Sequence, residues 1–573
     1  MASAPNFEVS GTNAKALFSL KVFRGEGMVL LGMNWLNGKP PLNFVGFAVE
    51  YMEPGGTVFY PVNNRLSFLQ NDGNVNPNIL SSRLSPIQKF RWIHFPYNSD
   101  IDGDFTYRVT PVFMDVKQQL TYGDFQEAAI QLKSETYPGE LNVAFTRGFV
   151  ASQAFLERFA PSGNTSKLLP PNNASGLTFI PTDPNKDAAY TWMGFEARAA
   201  ILKVLDDAIA DTTAQVKVAA YDLNEPEIVD RLVQLGTRLM VIIDDEGDHS
   251  KAGSAENMAQ QKLSVSAGAT NVQRQHMGQL QHNKMIAVNG TINTVVFGST
   301  NFSWRGFFIQ NNNAVIAHGA IPTQIAFDAF KNIWDNIDSA SGFDQTPSAN
   351  WNDLQLPSVK AQVAFSPHSP TNAVLKSIGN DIAGTTSSLF YSLAFLYQEK
   401  PGSPILTAIE KVVSNNSLFV YGISDHSVKG LEIQRPDGNA PISFPAGLLK
   451  NVPEPFKAEV STGSGIRMHH KFVVIDFDKP TAKVYTGSYN FSATADTANA
   501  ENLLMIQDRR VAVSYMIEAV AMFDHYEFRD AVQKGAVAGN KIYLHTPPAA
   551  GQLPWWDEDY SNPQKARDRE LFS

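Results

Sequence analysis

Residues 282–303, HNKMIAVNGTINTVVFGSTNFS, and residues 469–492, HHKFVVIDFDKPTAKVYTGSYNFS, carry one pattern twice. Each stretch opens on a histidine with a lysine two positions later, runs through apolar residues, and closes on Gly-Ser-x-Asn-Phe-Ser. The closing hexapeptides agree at five of six positions and begin 16 and 18 residues past their histidines. A lone His-x-Lys means little in a chain with 11 histidines. A second copy, followed at nearly the same distance by the same hexapeptide, means a duplicated unit.

The apolar runs 284–288 and 471–477 read as strands, and on a strand residues i and i+2 share a face. His282 therefore points with Lys284, and His469 with Lys471, while Asn283 and His470 point away. By the same parity Asn289 and Asp476, seven positions after each histidine, fall on the opposite face and read as structural residues of the motif. Asn289-Gly290 is in addition a hairpin signal.

Working outward, each copy sits in alternating β and α segments. Before the first lie a helix over 192–210, a strand over 215–221, a helix over 226–235 opened by Pro226 and closed by Gly236, and a strand over 238–244. Before the second lie a helix near 372–382, a strand over 388–396, a helix over 404–413 and a strand over 417–423. The predicted fold class is α/β, two similar halves with mainly parallel sheets related by a pseudo-two-fold axis, sharing one central site. The first 135 or so residues differ: short β runs between Gly, Pro, Asn and Asp clusters, with Phe105, Tyr107, Val109 and Phe113 alternating, predict an antiparallel β-sandwich. The expected domains are a sandwich over 1–140, a first half over 141–345, and a second half with the C-terminal tail over 346–573.

Composition narrows the chemistry. The 573 residues hold 46 Lys+Arg against 56 Asp+Glu, a net charge of −10, and no cysteine. No disulfide, thiolate metal site or cysteine nucleophile is available, and no basic track exists to hold a nucleic-acid backbone, so no nucleic-acid partner is expected. The N-terminus lacks a basic-then-apolar leader and no run has the length of a membrane span. The sequence reads as a soluble chain and leaves secretion, compartment and oligomeric state open.

With both motifs quoted, the chain resembles the phospholipase D superfamily, whose paired pattern is His-x-Lys-x4-Asp followed by Gly-Ser-x-Asn. The likeness spans about residues 145–545 and departs at Asn289, where the pattern has Asp. It implies metal-free cleavage or transfer of a phosphodiester through a phosphohistidine, with no cofactor. That chemistry needs a nucleophile, an acid for the departing alkoxide and positive charge around the anionic oxygens. His282 and His469 supply the first two, with His282 assigned as nucleophile by analogy with the family, and Lys284 and Lys471 supply the charge. Asn301, Asn490, Ser299 and Ser488 offer neutral donors to the phosphate. Glu501, 11 residues past Asn490, stands where family members often carry an acid that fixes a catalytic histidine, and its counterpart in the first half is Asn312.

The substrate is read from the surroundings. Trp304, Tyr391 and Tyr397 are candidates for an aromatic wall around a cationic head group such as choline, with core packing as the competing reading. The apolar loop 441–449 is a candidate lipid contact. These features favour a phosphatidylcholine-like phospholipid at a membrane or micelle surface, hydrolysed to phosphatidate, with transfer to an alcohol as a second outcome. A nuclease or other soluble phosphodiesterase, and a catalytically silent lipid-binding protein, are the rival readings. The acidic run Asp244, Asp245, Glu246 and Asp248 reads as a solvated loop, and the histidines His94, His276, His318, His368, His426, His525 and His545 show no metal-ligand spacing.

Overall fold

The computed structural model describes residues 6–573 except 70–78, 134, 149–154, 156–157, 160–164, 427, 429–441, 444–467 and 538–542. Contacts group the chain into two compact units, one of the described residues of 135–512, the other of the described residues of 6–133 and 513–573.

The second of these units holds the sandwich. Strands β1 (Glu8–Ser10), β2 (Phe18–Arg24), β3 (Val29–Trp35), β4 (Phe44–Met52), β5 (Tyr60–Pro61), β6 (Arg91–His94), β7 (Asp104–Met114), β8 (Leu120–Tyr122) and β9 (Gln126–Gln131) form two antiparallel sheets. Their orders are β1-β2-β3-β6 and β5-β4-β7-β8, with β9 also on β7. The core between them is aromatic, with Phe18, Phe44, Phe47, Phe90, Phe105 and Tyr107 buried. The C-terminal Trp555 and Trp556 pack into it, and Trp555 Nε1 donates to Phe44 O at 3.0 Å. The tail expected to follow the second α/β half is thus a structural part of the sandwich unit.

The other unit contains the duplicated halves. In the first, β10 (Leu141–Phe145), α1 (Lys186–Ala210), β11 (Gln215–Ala220), α2 (Pro226–Leu235), β12 (Leu239–Ile243), α3 (Ala255–Ala267), β13 (Val272–Arg274), β14 (Lys284–Asn289), β15 (Thr294–Gly298) and β16 (Asn313–His318) give a sheet ordered β10-β16-β15-β14-β11-β12-β13. In the second, β17 (Asn352–Asp353), β18 (Lys360–Ser366), α4 (Leu375–Ala383), β19 (Ser388–Leu393), α5 (Pro404–Val413), β20 (Phe419–Ile423), β21 (Ile442–Ser443), β22 (Lys471–Ile475), β23 (Lys483–Gly487) and β24 (Glu501–Gln507) give the order β17-β18-β24-β23-β22-β19-β20-β21.

Both sheets are mixed, which corrects the expectation of mainly parallel pairing. Only β11-β12-β13 and β19-β20-β21 run parallel, joined by helical crossovers where such connections are seen. From β14 and β22 onward the strands of each half pair antiparallel with their successors. The motif strand is therefore the hinge of the sheet: β14 pairs antiparallel with both β11 and β15 and is buried on both faces from Lys284 to Val288. That explains its continuous apolar run.

Glycine at the head of each hexapeptide is a backbone requirement. Gly298 and Gly487 have φ of 129° and 144°, and a Cβ there would meet Asn313 O and Asn502 O at 2.4 and 2.2 Å. The peptide can then turn so that the N–H groups of Ser299 and Ser488 donate to those same carbonyls at 3.0 Å.

Candidate active site

The two motifs meet because each half lends its histidine a partner from the other. His282 Nδ1 lies 2.7 Å from Glu501 Oε2, at the start of β24, and His469 Nδ1 lies 2.8 Å from Asn312 Oδ1, just before β16. The backbones cross in the same sense: Ala500 N donates to Leu280 O at 2.9 Å and His469 N to Asn311 O at 3.1 Å. Asn283 and His470, whose side chains diverge from those of their neighbours, face the opposite half too. Asn502 Nδ2 donates to Asn283 Oδ1 at 3.0 Å, and Asn313 Nδ2 lies 3.4 Å from His470 Nδ1. The carboxylate expected to orient a histidine is therefore found, with its histidine in the other half.

All four motif side chains are buried, His282 and His469 at 4% exposure and Lys284 and Lys471 at 1%. Lys284 Nζ donates to His282 O at 2.5 Å, and Lys471 Nζ to His469 O at 2.9 Å while lying 3.1 Å from His469 Nε2. Each pair is backed by an aromatic ring. The Tyr221 ring stands edge-on to His282 at 4.8 Å with Lys284 Nζ 4.9 Å above it, and Phe395 repeats the arrangement with His469 at 6.0 Å and Lys471 at 5.5 Å.

Electrostatics separate the two histidines. Burial pushes both below the usual imidazole range. At His282 the Glu501 carboxylate pulls in the opposite direction, whereas His469 faces Lys471, Lys284, His282 and Arg305 and is held well below. Burial lowers Lys284 to about 8 despite Glu501, Asp222 and Asp244 nearby. Lys471 falls well below the ordinary lysine range through burial and then repulsion from Lys284. The site is built to receive negative charge.

The hexapeptides serve this geometry. Ser299 Oγ accepts Asn313 N–H at 3.0 Å and donates to Asn312 Oδ1 at 3.1 Å, and Ser488 Oγ accepts Asn502 N–H at 2.9 Å. Both serines are fully buried and splice the motif turn to the strand carrying the cross-half partner, a structural role in place of the expected contact with substrate. Among the described residues, the amide oxygens of Asn301 and Asn490 have no hydrogen-bond partner.

The three aromatic residues expected around a head group lie in or beside the two cores. Trp304 lies in the first-half core at 3% exposure, donating from Nε1 to Gly176 O at 2.9 Å and packed on Phe179, Tyr190 and Phe308. Tyr391, on β19, is fully buried in the second-half core against Gly422, and Tyr397 packs beside that core with its ring 4.6 Å from His426. Tyr391 is turned inward on a strand buried on both faces, and the Trp304 ring is held in its core by packing and its Nε1 hydrogen bond. The residues that do back the histidines, Tyr221 and Phe395, sit one and two positions past the ends of β11 and β19. Their signal in the sequence is only their place after a buried strand. Loop 441–449, apart from β21, lies outside the described residues.

Asn289 is exposed at the end of β14, opposite Gln215, and the hairpin closes through 290–293. Asp476 instead is buried, and its carboxylate accepts the N–H groups of Thr386, Ser387 and Ser388 at 3.0, 2.7 and 3.1 Å. It caps the entry to β19. The acidic run after β12 is not wholly solvated. Asp244 is completely buried, accepts Gln281 N–H at 2.7 Å just before His282, and lies 2.8 Å from His249 Nδ1. Among the described residues, no helix is long and apolar enough to cross a membrane.

Comparison with known proteins agrees with the duplication. The model of the family described as "Cardiolipin synthase, PLD-like domain" matches twice, over residues 205–334 and 397–526, one copy per motif. Phospholipase D of Rickettsia prowazekii is 46% identical over 57 residues, 10% of this chain and 25% of that protein. The Rickettsia felis phospholipase D is 50% identical over 48 residues, 8% of this chain and 22% of that protein. The chain thus spans about a quarter of the length of these relatives. A solved phosphatidylserine synthase from Haemophilus influenzae is 14% identical, with 65% of this chain and 91% of that chain covered and a TM-score of 0.38. Each of the two stretches similar to the PLD-like domain family carries one His-Lys motif, so the likeness covers both halves of the α/β unit.

Proposed function

We propose that the chain is a phosphodiesterase that hydrolyses glycerophospholipids to phosphatidate and the free head group, His282 acting as nucleophile and His469 as general acid and base. The observation that carries this reading is the unequal exchange of partners, Glu501 on His282 and Asn312 on His469.

A carboxylate at Nδ1 holds the proton there, aims the Nε2 lone pair at phosphorus, and stabilises the positive ring that forms on attack. At His469 the partner must be the amide oxygen, because Asn312 Nδ2 is already donated to Gly306 O at 3.0 Å. Nδ1 of His469 therefore carries a proton and Nε2 is left to trade one. Without substrate, burial and the two ammonium groups keep that ring neutral. An anionic phosphodiester between the lysines offsets their charge and lets Nε2 take up a proton. That proton goes to the leaving alkoxide as the His282–phosphorus bond forms and the ester bond breaks. The neutral ring then deprotonates water, whose oxygen displaces His282 and releases phosphatidate. An acceptor alcohol in place of water gives phosphatidyl transfer.

Support for a lipid substrate comes from the net charge of −10, from the phospholipase D relatives, and from the description of the matching family. Choline release from phosphatidylcholine vesicles, run beside plasmid nicking and repeated with ethanol, tests it. Choline and phosphatidate, with phosphatidylethanol appearing in ethanol, are expected. Nicking without choline release would replace lipid with nucleic acid as substrate, and no product in any arm would leave a binding protein.

A further inference from the structure

Behind the first motif lies a cluster that the reaction does not use. Asp222, two residues past β11, His249, in the short turn 247–250, and Glu256, in the first turn of α3, converge so that one ligand atom from each lies within 4.8 Å of the others. His249 Nε2 is 3.1 Å from Asp222 Oδ1 and 4.0 Å from Glu256 Oε1. Ligand atoms on a tetrahedral zinc ion, with bonds of about 2.0–2.2 Å, stand about 3.4 Å apart, so these separations bracket the edges of such a site.

The surroundings match what a metal-bound imidazole requires. Nδ1 of His249 is tied to the Asp244 carboxylate at 2.8 Å, which fixes the proton on that nitrogen and turns Nε2 toward the two carboxylates. Asp222 is held from its other oxygen by Ser303 Oγ at 3.0 Å, and Glu256 Oε1 by Leu223 N–H at 3.2 Å. Asp222, Asp244 and Glu256 are all buried around His249, with Arg274 donating to Asp244 O and His249 O at 2.8 Å and the Lys284 ammonium nearby, and a dication here would take the place of the His249 proton among three carboxylates.

The cluster belongs to one half. Ala220 opposes Lys284 on β14 as Leu393 opposes Lys471 on β22, so the residue matching Asp222 is Phe395, which offers no ligand.

We propose that Asp222, His249 and Glu256 bind a zinc-class divalent cation, with water completing the shell, as a structural site of the first half. Imidazole beside carboxylates favours such an ion over Mg²⁺ or Ca²⁺. On binding, the ion takes the place of the proton that Nε2 otherwise shares with Asp222. It would pin three segments behind Tyr221, whose ring stands edge-on both to His249 at 4.6 Å and to His282 at 4.8 Å. The ion stays behind that ring and takes no part in phosphoryl transfer.

The test uses the full chain with any affinity tag removed, stripped with EDTA, reloaded with ZnCl₂ and desalted. Elemental analysis is expected to find one zinc per chain, with a melting temperature several degrees higher than the stripped protein and no such rise with CaCl₂. Co²⁺ in place of Zn²⁺ is expected to give visible absorption bands. Glu256→Gln and His249→Gln should lose the retained metal and the bands. His276→Gln, which removes the half-buried His276–Asp245–Asp338 group, and the His282→Ala/His469→Ala double variant should keep both. Wild-type chain that retains no zinc and shows no cobalt bands overturns the proposal, since this result needs no variant to fold. Retention that survives His249→Gln but disappears in the His282/His469 double variant overturns it too.

Discussion

The two halves of the α/β unit share a motif and a sheet plan, and they differ in what each motif histidine faces. The first half presents its histidine to a carboxylate, the second presents its own to an amide, and in each case the partner is supplied by the opposite half. Duplication gives two equivalent histidines, and the residue exchanged between the halves, Glu501 in one direction and Asn312 in the other, gives them different surroundings. The same contrast appears behind the site, where Asp222 and His249 back the first motif and Phe395 the second. It appears again at the seventh position, exposed Asn289 against buried Asp476.

The harshest way to break this comparison is to remove either histidine. His282→Ala and His469→Ala are each expected to lower kcat by about 10⁴-fold or more, and the double variant to lose little beyond the worse single one, since the pair acts as a unit. A fully active single variant would end the division of labour. Next in size, Glu501→Gln keeps the shape but removes the charge opposite His282, and a loss of about 10³-fold in kcat is expected. Asn312→Asp, the reverse change in the other half, should cost no more than about tenfold while moving the His469-dependent limb of the pH profile upward, because a carboxylate favours the protonated ring. Equal effects from the two changes would contradict the assignment.

A third contrast is in pH. Lys284, at about 8, is charged below that pH and neutral above it, so kcat/KM should fall as pH rises through that range. Lys284→Arg keeps its charge throughout and should abolish that limb, whatever its cost at neutral pH. The smallest expected effects separate the seventh positions. Asn289→Asp, which gives the exposed seventh position the residue of the second motif, should change activity less than about twofold, as surface changes do. Asp476→Ala leaves the N–H groups of Thr386, Ser387 and Ser388 at the entry to β19 without their acceptor and should cost about 1–2 kcal/mol of stability, read by denaturant unfolding.

Much of this was legible in the sequence because it is local. The His-x-Lys parity, the helices at 226–235 and 404–413 and the alternation in β7 follow from periodicity and caps within a few residues. The mixed sheet was not legible: the parallel β-α-β stretches carry a loud signal, and the later antiparallel strands are as apolar as buried parallel ones. Nor was the destination of the aromatics. Trp304 and Tyr391 stand near the motifs in the chain but were drawn into cores, while Tyr221 and Phe395 reach the histidines through strand order. Spacing disclosed Glu501 and Asn312 but could not disclose the exchange, because which half receives each side chain is settled only when the halves pack.

The central claim, that His282 and not His469 bears the covalent phosphoryl group, is tested most directly by trapping it. A phosphodiester with a p-nitrophenolate leaving group needs no acid for the first step, so His469→Asn should form the adduct and then stall for want of a base to activate water. Peptide mass spectrometry of the quenched protein is expected to place the phosphoryl group on His282. A wild-type adduct on His469, or a burst of p-nitrophenolate with no modified histidine, would contradict it.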